Sequence, residues 1–351
     1  MSVSFKTSIS TGLGMRAFSG HRLLFPAILA MVLAIGALPV RADVALNIIP
    51  TFDSSITSDP NAGAIEATIN QAISFYENTF TTHTASPIGV TIDFKEMTTG
   101  LGQSNTTLCK VSYQSFINAL TAANSADATD TTALAHLPNG ANNPVTGSTR
   151  INVKTAELRA LGYTNVPPIG GFDGTIGLNT SLTTPGSPGS SLQYSLLAVT
   201  EHEIDEVLGL GSDLPGTGFF SDPAPEDLFR YTAGGARSFT ANASCGAPPA
   251  AFLSLDGTTD LAQFNNCGNG GDYGDWQSTP LPGGVGPKVQ DAFATPGSTP
   301  FLTATSPESI ALDAIGYNLS AVPEPTSLVL FGSVLAVTGF LTRRRTGLRK
   351  N

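Results

Sequence analysis

The segment Thr200-Glu201-His202-Glu203-Ile204-Asp205-Glu206-Val207-Leu208-Gly209 constrains this chain more than any other. Leu196, Leu197, Val199, Ile204, Val207 and Leu208 give it the spacing of an otherwise apolar helix. Yet Glu201, Glu203, Asp205 and Glu206 crowd four acids into six residues of it. Like charges at such spacings repel, and a positive charge among them would relieve the conflict. His202 and Glu206 are four apart, so on a helix they point the same way and can grip one cation. Glu203 lies one step round, where a general base would polarise a metal-bound water. The alternative is a solvated acidic helix face. The helix is expected to begin near Ser190 or Ser191 and to run to Leu208, with Gly209 and Gly211 ending it.

The elements around it read as α+β. Residues 43–61 look extended and loop-like. Ile65, Ile69, Ala72, Ile73, Tyr76 and Phe80 recur at helical spacing, which predicts an amphipathic helix over 62–80. Val90, Ile92 and Phe94 alternate as in a strand. A helix is expected over 113–123, surface loop over 124–148 and a strand over 150–154. Thr155 is expected to cap a short helix, 156–161. A strand over 175–179 and a Gly/Pro/Ser loop over 183–190 precede the acidic helix, and a last short helix is expected over 308–315. The order predicts a mixed sheet, a central site helix and a loop-rich C-terminal part, with subdomains of about 43–211 and 212–321.

The two ends read as addresses. Lys6, Arg16 and Arg22 precede an apolar run, Leu23 to Val40, closed by Val40-Arg41-Ala42. This is the pattern of a signal peptide over 1–42, with cleavage after Ala42. At the other end Val322-Pro323-Glu324-Pro325 leads into an uncharged apolar stretch, 326–342, followed by Arg343, Arg344 and Arg345. Such a stretch is roughly the shortest helix that crosses a bilayer, and the arginines should stay cytoplasmic. Residues 322–351 resemble the PEP-CTERM sorting signal of Gram-negative, biofilm-forming bacteria. The resemblance implies export, membrane anchoring at the cell envelope, and processing by an exosortase near Pro323–Pro325, with the protein staying anchored or passing to the surface or polymer layer. The same module also occurs in some ice-binding proteins.

Without its ends the chain has about 280 residues, 43–321. Nine of the 17 basic residues lie in the ends, and all 27 acids except Glu324 lie in the body. That leaves 26 acids against 8 bases, about −18. Such a field repels nucleic acid and anionic lipid, tolerates divalent cations and keeps an exported protein soluble. In an oxidising compartment Cys245 and Cys267 would close a loop of about 20 residues and leave Cys109 free, although all three pairings are open from sequence. The chain has no C-x-x-C.

The layout resembles the metzincin zinc metalloproteases, in which a strand, a loop and a helix deliver H-E-x-x-H-x-x-G-x-x-H/D. His202, Glu203 and Gly209 match that pattern in residue and spacing. Glu206 replaces the second histidine, Ser212 stands at the third ligand position with Asp213 next to it, and no methionine follows the helix until the chain's end. Ala311-Leu312-Asp313-Ala314-Ile315-Gly316-Tyr317 takes the place of the family's methionine turn in chain order. The His-Glu-Ile-Asp-Glu, Pro-Glu-Asp-Leu-Phe-Arg-Tyr and Gly-Gly-Asp-Tyr-Gly-Asp-Trp segments also resemble those of PEP-CTERM-bearing bacterial metalloproteases. The resemblance implies an endopeptidase for polypeptides, with Glu203 as general base and acid and His202, Glu206 and Asp213 as metal ligands. Asp222, Glu226 and Asp227 are further ligand candidates, although the latter two could instead pair with Arg230 or cap a turn. Zinc is the implied cofactor, and a harder, more anionic His/Glu/Asp set leaves manganese or calcium open.

Substrate is expected along an edge strand near 175–179. Asp272 and Asp275, in a glycine loop, read as a turn before a calcium site, and Tyr273 and Trp276 as packing. His83 and His136 read as surface residues. Two other functions compete with the peptidase: a pseudoprotease acting as a surface or matrix binding protein, and an ice-binding protein, for which 43–321 lacks regular Thr repeats.

Overall fold

The computed structural model describes residues 43–84, 86–124, 127–186, 188, 190–214, 221–239, 241, 250–279 and 284–320. These belong to one compact unit, Asp43–Asn351. The expected signal peptide, the expected span over 326–342 and Cys245 lie outside the described residues. Among the described residues no helix is long and apolar enough to cross a membrane.

The fold is α+β. Its main sheet has four strands: β1 (Asn47–Phe52), β2 (Gly89–Glu96), β3 (Gly102–Thr106) and β4 (Gly174–Leu178), in the order β1-β2-β4-β3. The first three neighbours run parallel, and β3 closes the edge antiparallel to β4. Strand β2 buries Val90, Ile92 and Phe94 on one face, as their alternation predicts.

Against this sheet lie two helices. Helix α1 (Ala62–Thr79) buries Ile65, Ile69, Ala72, Ile73 and Tyr76, as its period requires, and ends as Phe80 turns extended. Helix α3 (Leu196–Leu208) carries the acidic segment and packs on α1, β3 and β4. It starts later than its apolar pattern suggests, because Tyr194–Ser195 is drawn off as a strand parallel to Thr183–Thr184. Ser195 then caps the helix by accepting the Ala198 N–H at 3.2 Å.

Small residues let α3 approach the sheet. A Cβ at Gly174 would overlap the Val207 side chain, and one at Gly102 would overlap the Glu203 carboxylate and come within 2.7 Å of Val199. Helix α4 (Pro307–Ala314) supports α3 from the other end of the chain, and the Tyr317 hydroxyl donates to Leu208 O at 2.8 Å.

The local readings need four corrections. Part of 124–148 is helical: α2 spans Ala128–His136, capped by Asp127. Its Ala-Thr-Asp-Thr-Thr sequence has no apolar period to announce it, and only Asp130 and Ala133 are buried. Residues 43–61 hold two strands and the short helix Ser54–Thr57. The helix expected over 156–161 is Thr155–Ala160, and Thr155 donates its hydroxyl to Asp173 at 2.7 Å instead of capping. Finally, β4 is paired on both sides, so the sheet's edges are β1 and β3, and β3 is the one packed on α3.

Tyr76 joins α1 to α3: its hydroxyl donates to Glu201 O at 2.6 Å and lies 2.9 Å from Asp205 Oδ1. All three residues are buried, and Asp205 Oδ2 already has no partner. Tyr76→Phe would leave the Asp205 carboxyl wholly unpaired. We expect a loss of about 1–3 kcal/mol in urea unfolding, with the denaturant slope unchanged.

Candidate metal centre

His202 and Glu206 occupy successive turns of α3, and the fold brings Asp275 to them from a distant loop. One ligand atom from each lies within 4.8 Å of the others. His202 Nε2 stands 3.7 Å from Glu206 Oε1 and 3.7 Å from Asp275 Oδ1. Donors bound tetrahedrally at about 2.1 Å stand about 3.4 Å apart, so this spacing fits a divalent cation.

Each donor is oriented from behind. His202 Nδ1 lies 3.0 Å from Val289 O. A carbonyl only accepts, so Nδ1 carries the proton and Nε2 faces the carboxylates. Glu206 Oε2 accepts the Ser104 hydroxyl of edge strand β3 at 2.5 Å. Gln290 Nε2 donates to Asp275 Oδ1 at 3.0 Å and lies 3.4 Å from His202 Nε2, and its own Oε1 is buried without a partner.

The Asp275 loop is fixed by the residues on either side. Asn265 N–H donates to Asp275 O at 2.7 Å, and Trp276 N–H to Gln290 O at 2.8 Å. The Trp276 ring is buried beside Phe264, with its Nε1 on Glu308 at 2.9 Å. Arg230, fully buried, lies 4.1 Å over the Phe264 ring and donates to Tyr273 O at 2.5 Å and Asn266 Oδ1 at 3.1 Å.

Two cavities flank the cluster. One of about 470 Å³ is lined by Gly102, Tyr194, Val199, His202, Glu203 and Phe293. The other, about 190 Å³, is lined by Ser104, Lys154, Glu206, Asp213 and Asp272. Lys154 Nζ donates to the Glu206 and Leu210 carbonyls at the end of α3.

The electrostatics are those of crowded carboxylates around one imidazole. Burial alone would lower the His202 pKa, but Asp275, Glu206 and Glu203 together raise it well above its usual value. Burial would raise Glu206, yet its contact with His202, aided by Lys154 and Ser104, holds it down at about 2. Glu203 rises well above the usual carboxylate range, first through burial and then through Glu206. Asp275 rises likewise through burial, against the pull of His202.

Of the residues singled out by sequence, His202, Glu203 and Glu206 meet at the cleft. Asp213 does not join the three-residue group: its Oδ2 accepts from Asn152 at 3.0 Å in the smaller cavity. Ser212 donates to Asp227, and Asp227 also accepts the Asp213 and Ala224 N–H groups, so it caps a turn. Glu226 Oε2 accepts the Gly211 N–H at 2.5 Å, and Asp222 accepts from Lys110 at 3.0 Å and Ser148 at 2.7 Å. His83 pairs with Asp43 at 2.9 Å, and His136 bonds Thr132 O within its own helix. Cys267 is disulfide-bonded and Cys109 is free. The sequence reads Asp275 as a turn residue in preference to a calcium ligand, and it does not single out Ser104 or Gln290. The Gly-Gly-Asp-Tyr-Gly-Asp-Trp segment was the one available signal for Asp275.

Residues 321–345 match the PEP-CTERM protein-sorting motif. The motif marks an exported protein sorted to the cell envelope and processed by an exosortase. No curated protein and no solved structure matches the chain.

On the far side of α3, Glu201 is 3% exposed, with Oε2 unpartnered. Burial, opposed by the Leu302 N–H and reinforced by Glu308, pushes its carboxyl up to about 8 from 4.5. An acid raised on folding contributes full stability below its unfolded value and loses it as pH climbs toward the folded one. Glu201→Gln should therefore match the wild type near pH 4.5 and melt several degrees higher at pH 8. Differential scanning calorimetry of both proteins across that range checks the sign.

Proposed function

We propose that this exported protein is a metal-dependent endopeptidase built on a metzincin-like frame. The observation that carries the reading is the His202–Glu206–Asp275 group beside Glu203 in the wall of the 470 Å³ cleft. These donors suit zinc or manganese, with Asp275 as the third ligand in place of the expected Asp213.

A divalent cation held there supplies Lewis acidity and a water of lowered pKa. The protein's part is positional. Glu203, 5% exposed, is placed to take a proton at its carboxylate and return it to a leaving amine. The raised affinity of that carboxyl for protons suits the second of these tasks. Strand β3 leaves one edge unpaired beside the cleft, where an extended polypeptide can add as a further strand. Gly102 at its start leaves room for the Glu203 carboxylate.

One feature favours a second reading, a catalytically silent binding protein of the envelope or extracellular matrix. The donor set holds one imidazole and two carboxylates, which would neutralise the cation and lower its water's pKa less than neutral ligands do.

The full chain should retain one equivalent of zinc or manganese on metal analysis, and His202→Ala should lose it. Glu203→Gln should keep the metal and lose about 10²–10⁴-fold in casein or peptide hydrolysis. Unchanged hydrolysis in Glu203→Gln would rule out the peptidase reading. Metal bound without hydrolysis, and hydrolysis gained on Glu206→His, would establish the silent one.

A further inference from the structure

A second carboxylate cluster lies on other elements. Asp127 caps α2, its Oδ1 accepting the Asp130 N–H at 2.9 Å. Helix α4 packs on α2 and brings Asp313 to the same point. One carboxylate oxygen from each of Asp127, Asp130 and Asp313 lies within 4.8 Å of the others.

Burial makes this grouping unusual. Asp130 is 3% exposed and Asp313 is fully buried. Asp313 Oδ1 accepts the Leu319 N–H at 2.8 Å and the Thr129 hydroxyl lies near the same carboxyl, yet Oδ2 is buried with no hydrogen-bond partner among the described residues. A buried carboxylate oxygen without a donor is costly, and neighbouring like charge adds to the cost. A cation satisfies the orphaned oxygen and removes the repulsion together.

We propose that Asp127, Asp130 and Asp313 form a calcium site that ties α2 to α4. The three side-chain donors are all hard oxygens, without nitrogen or sulfur, which selects calcium over zinc. Calcium also accepts irregular geometry and additional carbonyl or water ligands, whereas magnesium demands a near-ideal octahedron. The ligands come from chain segments far apart in sequence, so binding would clamp the end of the body onto its middle. Helix α4 in turn packs on the site helix α3, so the clamp would stiffen the support of the metal centre without contributing to it.

The test uses the full chain in three forms: wild type, His202→Ala, and Asp130→Asn/Asp313→Asn. Each is dialysed against about 1 mM calcium, the range of extracellular modules, and assayed for retained calcium and for melting temperature. The His202→Ala chain should retain one calcium and gain about 3–6 °C in Tm with it. The double variant should retain none at this site and show no calcium-dependent shift. Without calcium it should melt at or above the wild type, because Asn still accepts the Leu319 N–H and the repulsion is gone; this also shows that it folds. Failure of His202→Ala and wild type to bind calcium overturns the proposal. So does equal retention by the double variant, or an equal Tm shift with magnesium.

Discussion

Helix α3 carries four carboxylates into the packed centre of the body, and each must be hydrogen-bonded, neutralised or matched with positive charge. The surrounding structure divides the task by face. On one side, Tyr76 of α1 serves Asp205 and the Glu201 carbonyl, and burial keeps Glu201 protonated well above its ordinary range. On the other, Glu203 and Glu206 share the single imidazole of His202 with Asp275. An apolar stripe would have packed α3 against the sheet without any of these groups. Their presence in a helix that buries Leu196, Ile204, Val207 and Leu208 is a stability cost, which is why a functional role is the more economical explanation.

The geometry of the centre depends on residues outside the helix. Arg230 holds the Tyr273 carbonyl and the Phe264 ring, Phe264 packs on Trp276, and Trp276 anchors through its indole N–H to Glu308 on α4. The same Glu308 oxygen accepts the Gln290 N–H at 3.2 Å. Asp275 and Val289, which contact or orient His202, are thereby referred to one buried carboxylate. Ser104 does the same for Glu206 from the opposite direction, through the edge strand. Side chains fixed from both sides have little freedom to collapse, which is what a preorganised site requires.

The site helix and the long helix α1 were legible because their apolar residues recur at the helical period and little else competes. The helix start was not: Tyr194 and Ser195 have the right spacing, but a pairing with Thr183 and Thr184 takes them into a strand. Helix α2 escaped because its alanines and threonines carry no period, and its stability comes from a cap and from contact with α4. Two members of the His202–Glu206–Asp275 group, His202 and Glu206, are local in sequence and were visible as an i,i+4 pair. The third is a property of the fold. Asp213 is nearest in the chain, yet Asn152 and the turn capped by Asp227 hold it in the next cavity. Asp275 is delivered by a loop whose position rests on Arg230 and Trp276, and no spacing rule encodes that.

The sorting motif gives these charges a setting. An exported chain whose body carries 26 acids against 8 bases meets calcium at the concentrations that extracellular modules bind only after it leaves the cytoplasm. Carboxylate groups that repel in a cation-free body weaken it, and metal binding adds to folding stability when only the native state assembles the ligands. On the proposed reading both clusters act in the same direction: each joins segments far apart in the chain, and each is completed only when those segments have docked. The body would then be least stable where its activity is unwanted and most stable at the envelope. The carboxylates of α3 and of the α2–α4 contact would be the cause of both states.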